Sequence, residues 1–426
     1  MNLFFIAVSA YLFYRIYKKN GTLSVATMHS FYCLGCMVVI YTVFLLDLNK
    51  NDLGFTAMPM PYFGDVIKEV LFIYMLLIIS AYYVSFPVIK KPLLNHNDFS
   101  LKLNIMSKVI GSVEFFYISL LVSILFGLSN LIHFLSINES FFYSNTYYLL
   151  LKESDLLGLT SSVGKIYHIF FRYIGLCFAL MFFISFFMKK YILAIVFFIS
   201  SIYPFIFLLS GDSRWAPMYL AWGFIFIKLA KNPFLFILNA ICFFMVLVKV
   251  LIGRELDYHG FNHIFDFYDY FFVKDIPIYI FGIFVNIFEG AMNLANTLLH
   301  EPRFDIKYKL LSYSPFFSFM DGFSLIRDDL KYKWAPNVPM SSLSESISFG
   351  YQYVIFLLLP YFYIMKNIDL RLKHEINIVN VLVLVVFTYV AFGLHTYSIR
   401  TFWKIIVFFF LYYLIDNIRA RKNIYD

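Results

Sequence analysis

The chain consists mainly of apolar runs that are long enough to cross a membrane as helices. A membrane-spanning helix needs about 20 predominantly apolar residues. About eleven segments approach that length, at roughly residues 2–17, 24–46, 66–89, 108–137, 164–188, 190–209, 214–230, 233–252, 347–366, 377–396 and 402–418. Only 14% of the residues are charged, whereas soluble domains carry about 25%. The sequence therefore predicts an all-α, polytopic membrane bundle that forms one integral domain over residues 1–426.

Lysine and arginine are unevenly distributed between the connections, and this predicts the orientation of the chain. They concentrate in one alternate set of connections, as Arg15, Lys18, Lys19, Lys90, Lys91, Lys102, Lys108, Lys189, Lys190, Lys228, Lys231, Lys366, Arg371, Lys373, Arg419, Arg421 and Lys422. The opposite short connections, 47–65 and 138–163, hold more acids than bases. Because cytoplasmic loops are enriched in Lys and Arg, we expect the N-terminus outside and the C-terminus in the cytoplasm. The net charge of +8 then favours an anionic membrane surface over nucleic acid as a partner.

One long external connection, residues 253–346, interrupts the pattern of short loops. Within it, Pro277 to Leu299 is apolar but contains an acid and several amides, which predicts an amphipathic or re-entrant helix. A full span there, paired with a second near 310–326, would raise the count to thirteen. The acids, amides and aromatic residues of this loop suit sugar binding, and the i, i+4 pair His259 and His263 leaves a metal site open as an alternative.

A second group of cations breaks the orientation pattern, because its members fall in the outer half or at the outer end of a predicted span. They are Lys68, Lys165, Arg172, Arg214, Lys249, Arg400 and Lys404. A charged side chain near hydrocarbon costs about 2.5–3.5 kcal/mol even on lenient scales. The placement predicts an anion-binding pocket near the outer surface, with snorkelling towards lipid headgroups as the alternative reading for each cation.

Spacing supports the anion-binding prediction. Lys165, His168 and Arg172 are at i, i+3 and i+7, which places them on one helical face. Arg254 follows Lys249 at the outer end of the eighth span. Arg303 and Arg327, in the large loop, are predicted to bind the substrate through its phosphates or its glycan. Gly211, Asp212 and Ser213 precede the seventh span, so we expect a helix start with N–H groups that bind phosphate and a cap from Asp212 or Ser213.

Candidate general bases lie close to these cations. Glu345 precedes the ninth span and His395 precedes Arg400, so either is predicted to deprotonate a substrate hydroxyl. For Glu345, pairing with a helix macrodipole is the alternative. Cys33 and Cys36 form a CxxC without a second pair and are predicted to pack in the core, with a redox or metal-binding role as the alternative. No metal or cofactor is predicted, and no Walker A or GxSxG motif is present.

Three features resemble the O-antigen polymerases of the Wzy type and the related O-antigen ligases. The element Ser210-Gly211-Asp212-Ser213-Arg214 is similar to the G-x-R opening of an outer helix, and Glu345 to Gly350 is similar to the family's acidic-then-Phe-Gly element. The large external loop is the third feature. The resemblance implies a GT-C-like helical fold in the bacterial inner membrane, with the active site facing the periplasm.

The same resemblance implies a reaction and a set of partners. The chain would polymerise undecaprenyl-diphosphate-linked oligosaccharide repeat units, with a lipid-linked donor, a lipid-linked acceptor and membrane lipid as partners. A flippase and a chain-length regulator would act beside it. Arg214, Arg254, Glu345 and His395 are the predicted catalytic residues. An O-antigen ligase and a lipid-linked oligosaccharide flippase or transporter stay open as alternatives.

Overall fold

The computed structural model describes residues 2–21, 24–48, 63–85, 112–137, 162–211, 213, 215–230, 233–255, 276–316, 321–323, 333–335, 338–374 and 378–425. Apart from one short strand pair, the regular elements in these ranges are helices. The helices are α1 Asn2–Asn20, α2 Val25–Leu45, α3 Ile67–Ser85, α4 Val113–Ser136, α5 Ser162–Phe187, α6 Tyr191–Ser210, α7 Met218–Ala230, α8 Pro233–Glu255, α9 Ile276–Ile287, α10 Gly290–His300, α11 Ile306–Ser312, α12 Ser342–Phe349, α13 Tyr351–His374, α14 Ile378–Gly393 and α15 Ile399–Tyr425. Strands β1 Lys333–Ala335 and β2 Val338–Pro339 pair antiparallel, with Lys333 opposite Pro339.

Each of the predicted spans overlaps one of the helices α1 to α8 and α13 to α15. The ninth, 347–366, also includes the end of α12 and the break at Gly350. Within the described ranges, eight helices are long and apolar enough to cross a membrane: α2 to α6, α8, α13 and α15. Helix α14 is apolar but shorter. The all-α membrane character is therefore confirmed, while the count of eleven, the thirteen-span alternative and the GT-C-like fold stay predictions.

The described helices group into two compact units. Unit 1 comprises residues 1–102 and 284–426, and unit 2 comprises residues 103–283. In unit 1, α1, α2 and α3 pack against one another, and α13 packs against α2, α3, α14 and α15. In unit 2, α5 packs against α4, α6 and α7, and α7 packs against α8. The prediction of one integral domain over the whole chain stays a prediction.

Helix α2 begins at Val25 because two side chains accept hydrogen bonds from its first N–H groups. Ser24 is the N-cap and accepts from Thr27 N at 3.2 Å. Asp369, near the end of α13, accepts from Val25 N at 2.8 Å and Ala26 N at 3.2 Å, and its carboxylate also receives the Ser24 hydroxyl. A carboxylate at a helix N-terminus satisfies backbone donors and interacts favourably with the macrodipole. This buried contact fixes α2 to α13.

The helix predicted from Pro277 to Leu299 is in fact two helices. Helix α9 ends at Ile287, and α10 begins at Gly290. Gly290 lies directly against the segment that follows α14, where a Cβ on this residue would be 2.7 Å from the Cβ of His395. The close approach at this turn therefore requires a residue without a side chain. Residues 290–297 are all buried, packed against α2, α3 and α12. The polar residues that suggested an amphipathic surface helix therefore lie inside unit 1.

Candidate functional site

In unit 2, the segment after α6 turns back on that helix before α7 begins. Gly211 N donates to Phe207 O at 3.2 Å, and Ser213 N donates to Leu208 O at 2.8 Å. Ser213 is buried, and its hydroxyl oxygen accepts from Trp215 N at 3.4 Å. The expectation that these N–H groups are exposed to phosphate is therefore wrong for Gly211 and Ser213, because the carbonyls at the end of α6 already accept their hydrogen bonds.

Two of the predicted anion-binding cations reach this same turn. From α5, the guanidinium carbon of Arg172 lies 5.5 Å from the ring centre of Trp215 and 5.4 Å from that of Tyr173. From α8, Lys249 Nζ donates to Leu209 O at 3.4 Å, with only 2% of the residue exposed. The Lys249 contact also satisfies a carbonyl in the last turn of α6, as cations at helix C-termini commonly do. We name Arg172, Lys249 and residues 208–211, 213 and 215 the cation turn.

Next to the cation turn, His168 belongs to a hydrogen-bonded chain of side chains. His168 Nδ1 lies 2.9 Å from His133 Nε2, and His133 Nδ1 lies 2.7 Å from the Tyr203 hydroxyl. The chain joins α5, α4 and α6, and it can pass a proton between its members by switching tautomers. His133 was missed at the sequence level, although a histidine within an apolar run was a signal available to find it.

In unit 1, the carboxylate of Glu345 links three elements. Glu345 lies in the first turn of α12, whose N-cap is Ser341. Its Oε1 accepts from the Tyr308 hydroxyl at 2.9 Å, and its Oε2 accepts from Ile399 N at 2.7 Å. Burial, together with the neighbouring Glu345, raises the pKa of Tyr308 and keeps its phenol a donor. Since Ile399 is the first residue of α15, Glu345 caps that helix, which favours the macrodipole reading.

Arg400 follows directly and holds a segment of the large loop. Its guanidinium donates to the carbonyl oxygens of Leu311, Ser314 and Phe316 and pairs with the Asp321 carboxylate at 2.5 Å. Burial acts to raise the pKa of Asp321, but hydrogen bonds from Ser314 and Arg400 outweigh it and leave that pKa below its usual value. Most of the guanidinium donors are thus used within the protein, so the geometry favours a positioning role for Arg400.

His395 lies on the turn between α14 and α15 and is fully buried. Its ring stacks on those of Tyr32, at 5.1 Å, and His29, at 5.5 Å. Its Nε2 lies 3.8 Å from Cys33 Sγ. A general base must reach the proton that it removes, whereas the neighbours of the His395 ring are an imidazole, a phenol ring and a thiol.

The remaining predicted site residues are placed as follows. Arg303 is exposed on the connector between α10 and α11. Lys165 and Arg254 belong to α5 and α8, but their side chains lie outside the described part of the structure. The residues that lie wholly outside it are Asp212, Arg214, His259, His263 and Arg327. The predicted site residues that the structure brings together in unit 2 are therefore Arg172, Lys249 and Ser213. In unit 1, Glu345 contacts Ile399, the residue directly before Arg400.

Comparison with known proteins adds no family to this description. No protein-family model, no curated protein and no solved structure matches the chain. The fold and the described residues define a helical membrane protein with several buried polar contacts in each unit.

Proposed function

We propose that the chain is a membrane glycosyltransferase that polymerises undecaprenyl-diphosphate-linked oligosaccharide repeat units at the periplasmic face of the bacterial inner membrane. One observation carries the proposal. Arg172 and Lys249, which come from helices far apart in the sequence, were each predicted to bind an anion. They contact Trp215 and Leu209, which flank the Ser210–Arg214 element in the sequence. A cationic, aromatic-walled turn of this kind suits the diphosphate of a lipid-linked donor.

The proposed reaction is a displacement at the anomeric carbon of the donor glycan. A hydroxyl of the acceptor sugar forms the new C–O bond, and the bond to the lipid diphosphate breaks, so that the diphosphate leaves with the electron pair. The hydroxyl proton passes to a general base. Arg172, Lys249 and the predicted Arg214 and Arg254 would stabilise the negative charge that develops on the leaving oxygen. The reaction needs no cofactor because the diphosphate leaving group is already activated.

The contacts in unit 1 support a second element of the proposal. Glu345 fixes the start of α15. The next residue of that helix, Arg400, holds Leu311, Ser314, Phe316 and Asp321 of the large loop. The loop that is predicted to bind the glycan is therefore anchored to α15 next to Ile399, through the side chain of Arg400. We infer that this coupling keeps the loop in position while the glycan is transferred.

The test is the polysaccharide banding pattern of a deletion strain that carries plasmid-borne variants. Arg172→Ala, and likewise Arg214→Ala, should reduce long chains strongly, since loss of one donor to a developing oxyanion lowers the rate by about 10²–10³-fold, and single-repeat attachment should persist. Arg15→Ala is the matched control: Arg15 also lies over an aromatic ring, that of Tyr11, but in unit 1. Its chain length should be normal.

The outcomes separate the proposed function from its alternatives. Single-repeat bands in the deletion strain support a polymerase. Loss of surface glycan with accumulation of lipid-linked chains indicates a ligase, and unpolymerised intermediates on the cytoplasmic side indicate a flippase. Normal chain length in Arg172→Ala, at wild-type protein level, would refute the role of the cation turn.

A further inference from the structure

A cluster of three potential metal ligands lies in unit 1, apart from the cation turn. His29 and Cys33 are four residues apart on α2 and therefore share one face of that helix. His395 approaches them from the turn after α14. All three side chains have 0% exposure. The sequence predicted packing for Cys33 and no metal for the chain, because it does not reveal that His395 lies opposite the His29–Cys33 face.

The sulfur–nitrogen separations in this cluster match those of a metal site. Cys33 Sγ lies 3.6 Å from His29 Nε2 and 3.8 Å from His395 Nε2, and the ligand atoms of the three residues all lie within 4.8 Å of one another. Metal–sulfur bonds of about 2.3 Å and metal–nitrogen bonds of about 2.0–2.1 Å at tetrahedral angles place S and N about 3.6 Å apart. An ion can therefore be accommodated with only small side-chain movements.

The surroundings of His29 resemble those of a histidine ligand in known metal sites. A histidine that binds a metal through one nitrogen usually makes a hydrogen bond through the other. His29 Nδ1 does so, since it lies 3.0 Å from the Tyr361 hydroxyl. The rings of Tyr32 and Tyr74 pack against His395 at 5.1 and 5.5 Å. These aromatic walls exclude water and restrict the rotation of the imidazole.

We propose that His29, Cys33 and His395 bind one soft transition-metal ion of the Cu⁺ or Zn²⁺ type. Thiolate and imidazole ligands suit both ions. Charge favours Cu⁺: one thiolate and two neutral imidazoles carry a total charge of −1, so Cu⁺ gives a neutral site, whereas Zn²⁺ leaves a net positive charge in a fully buried pocket. The bound ion joins α2 to the turn that leads into Ile399 and Arg400, and so it stabilises the arrangement around Glu345.

The test is metal content and metal-dependent thermal stability of the full chain in detergent. The protein is purified on an affinity tag that uses no metal, and one equivalent of Cu⁺ under reducing conditions, or of Zn²⁺, is offered. Wild-type protein should retain about one ion per chain after desalting and unfold at a higher temperature with it. His29→Ala and Cys33→Ser should lower the affinity at least tenfold and abolish the temperature shift. Cys36→Ala is the matched control, because Cys36 is equally buried on the same helix but is absent from the ligand cluster.

Each result bears on the proposal. Retention of Cu⁺ by the wild type and by Cys36→Ala, together with its loss in the two ligand variants, supports the site and the charge argument. Retention of Zn²⁺ alone supports the site but overturns the assignment of Cu⁺. Wild-type protein that retains neither ion overturns the proposal even if the variants fail to fold, and so does full retention by Cys33→Ser.

Discussion

Removing the carboxylate of Glu345 is expected to destabilise unit 1 strongly. In Glu345→Ala, the Tyr308 hydroxyl and the Ile399 N–H both lose their acceptor in a site where Glu345 is only 1% exposed. A buried polar group left without a partner costs about 1–3 kcal/mol, so the two together should cost about 4 kcal/mol. Glu345→Gln retains an oxygen for Ile399 N and an amide that can donate to the Tyr308 oxygen. It loses mainly the charge at the start of α15, which is worth about 1 kcal/mol.

The assay is the free energy of unfolding in detergent, measured by SDS titration, combined with the glycan banding pattern. Glu301→Gln is the control, because it makes the same chemical change at an exposed position and should alter the stability by less than about 0.5 kcal/mol. A double-mutant cycle with Tyr308→Phe should give a coupling energy of about 1 kcal/mol or more. A loss below about 1 kcal/mol in Glu345→Ala would refute the capping role. Full stability of Glu345→Gln with no long glycan would instead establish Glu345 as the catalytic base.

Two further predictions concern packing and pH. Gly35→Ala should lower the free energy of unfolding by about 1–3 kcal/mol, because the new Cβ would lie 2.2 Å from the Phe288 ring. Gly127→Ala is the control, since no atom lies within 4 Å of its new Cβ, and it should be neutral or slightly stabilising. Equal effects of the two substitutions in SDS titrations would contradict this prediction. The lowered pKa of Asp321 means that its stabilising pair with Arg400 persists above the unfolded-state pKa of about 3.9 and is lost as the pH falls through the folded-state value. The stability difference between wild type and Asp321→Asn should therefore be constant from neutral pH to about pH 4 and shrink below it, and a difference that shrinks near pH 6 would show that another group controls it.

The positions of the helices could be predicted from the sequence because hydrocarbon selects long apolar runs directly. The partners of the polar residues within those runs could not. Asp369 was not singled out, yet it receives two backbone N–H groups and a hydroxyl from the start of α2. Hydropathy shows which segments are helical, but the choice of opposing faces depends on packing between segments that are hundreds of residues apart in the chain.

The loop helix shows the same limit at a shorter range. Asn293 made Pro277–Leu299 look amphipathic, but its Oδ1 accepts hydrogen bonds from Ser341 N, at 3.0 Å, and from Trp334 Nε1, at 3.1 Å, within unit 1. A buried amide with satisfied partners gives the same periodic pattern as a solvated one. In the candidate site, Arg172 and Lys249 were found because cations in apolar runs are conspicuous. His29 and His133 were missed because a neutral imidazole in an apolar run is a weaker signal than a charge.

The hydrogen bond between Ser24 and Asp369 spans 345 positions of the chain. At a synthesis rate of about 5–20 residues per second, roughly 20–70 s separate the emergence of the two partners from the ribosome. During that interval the first N–H groups of α2 have no acceptor from α13, although the helix already lies among lipids or insertion machinery. Biogenesis of this protein therefore includes a waiting period, in which its earliest helices depend on outside protection until the last third of the polypeptide arrives.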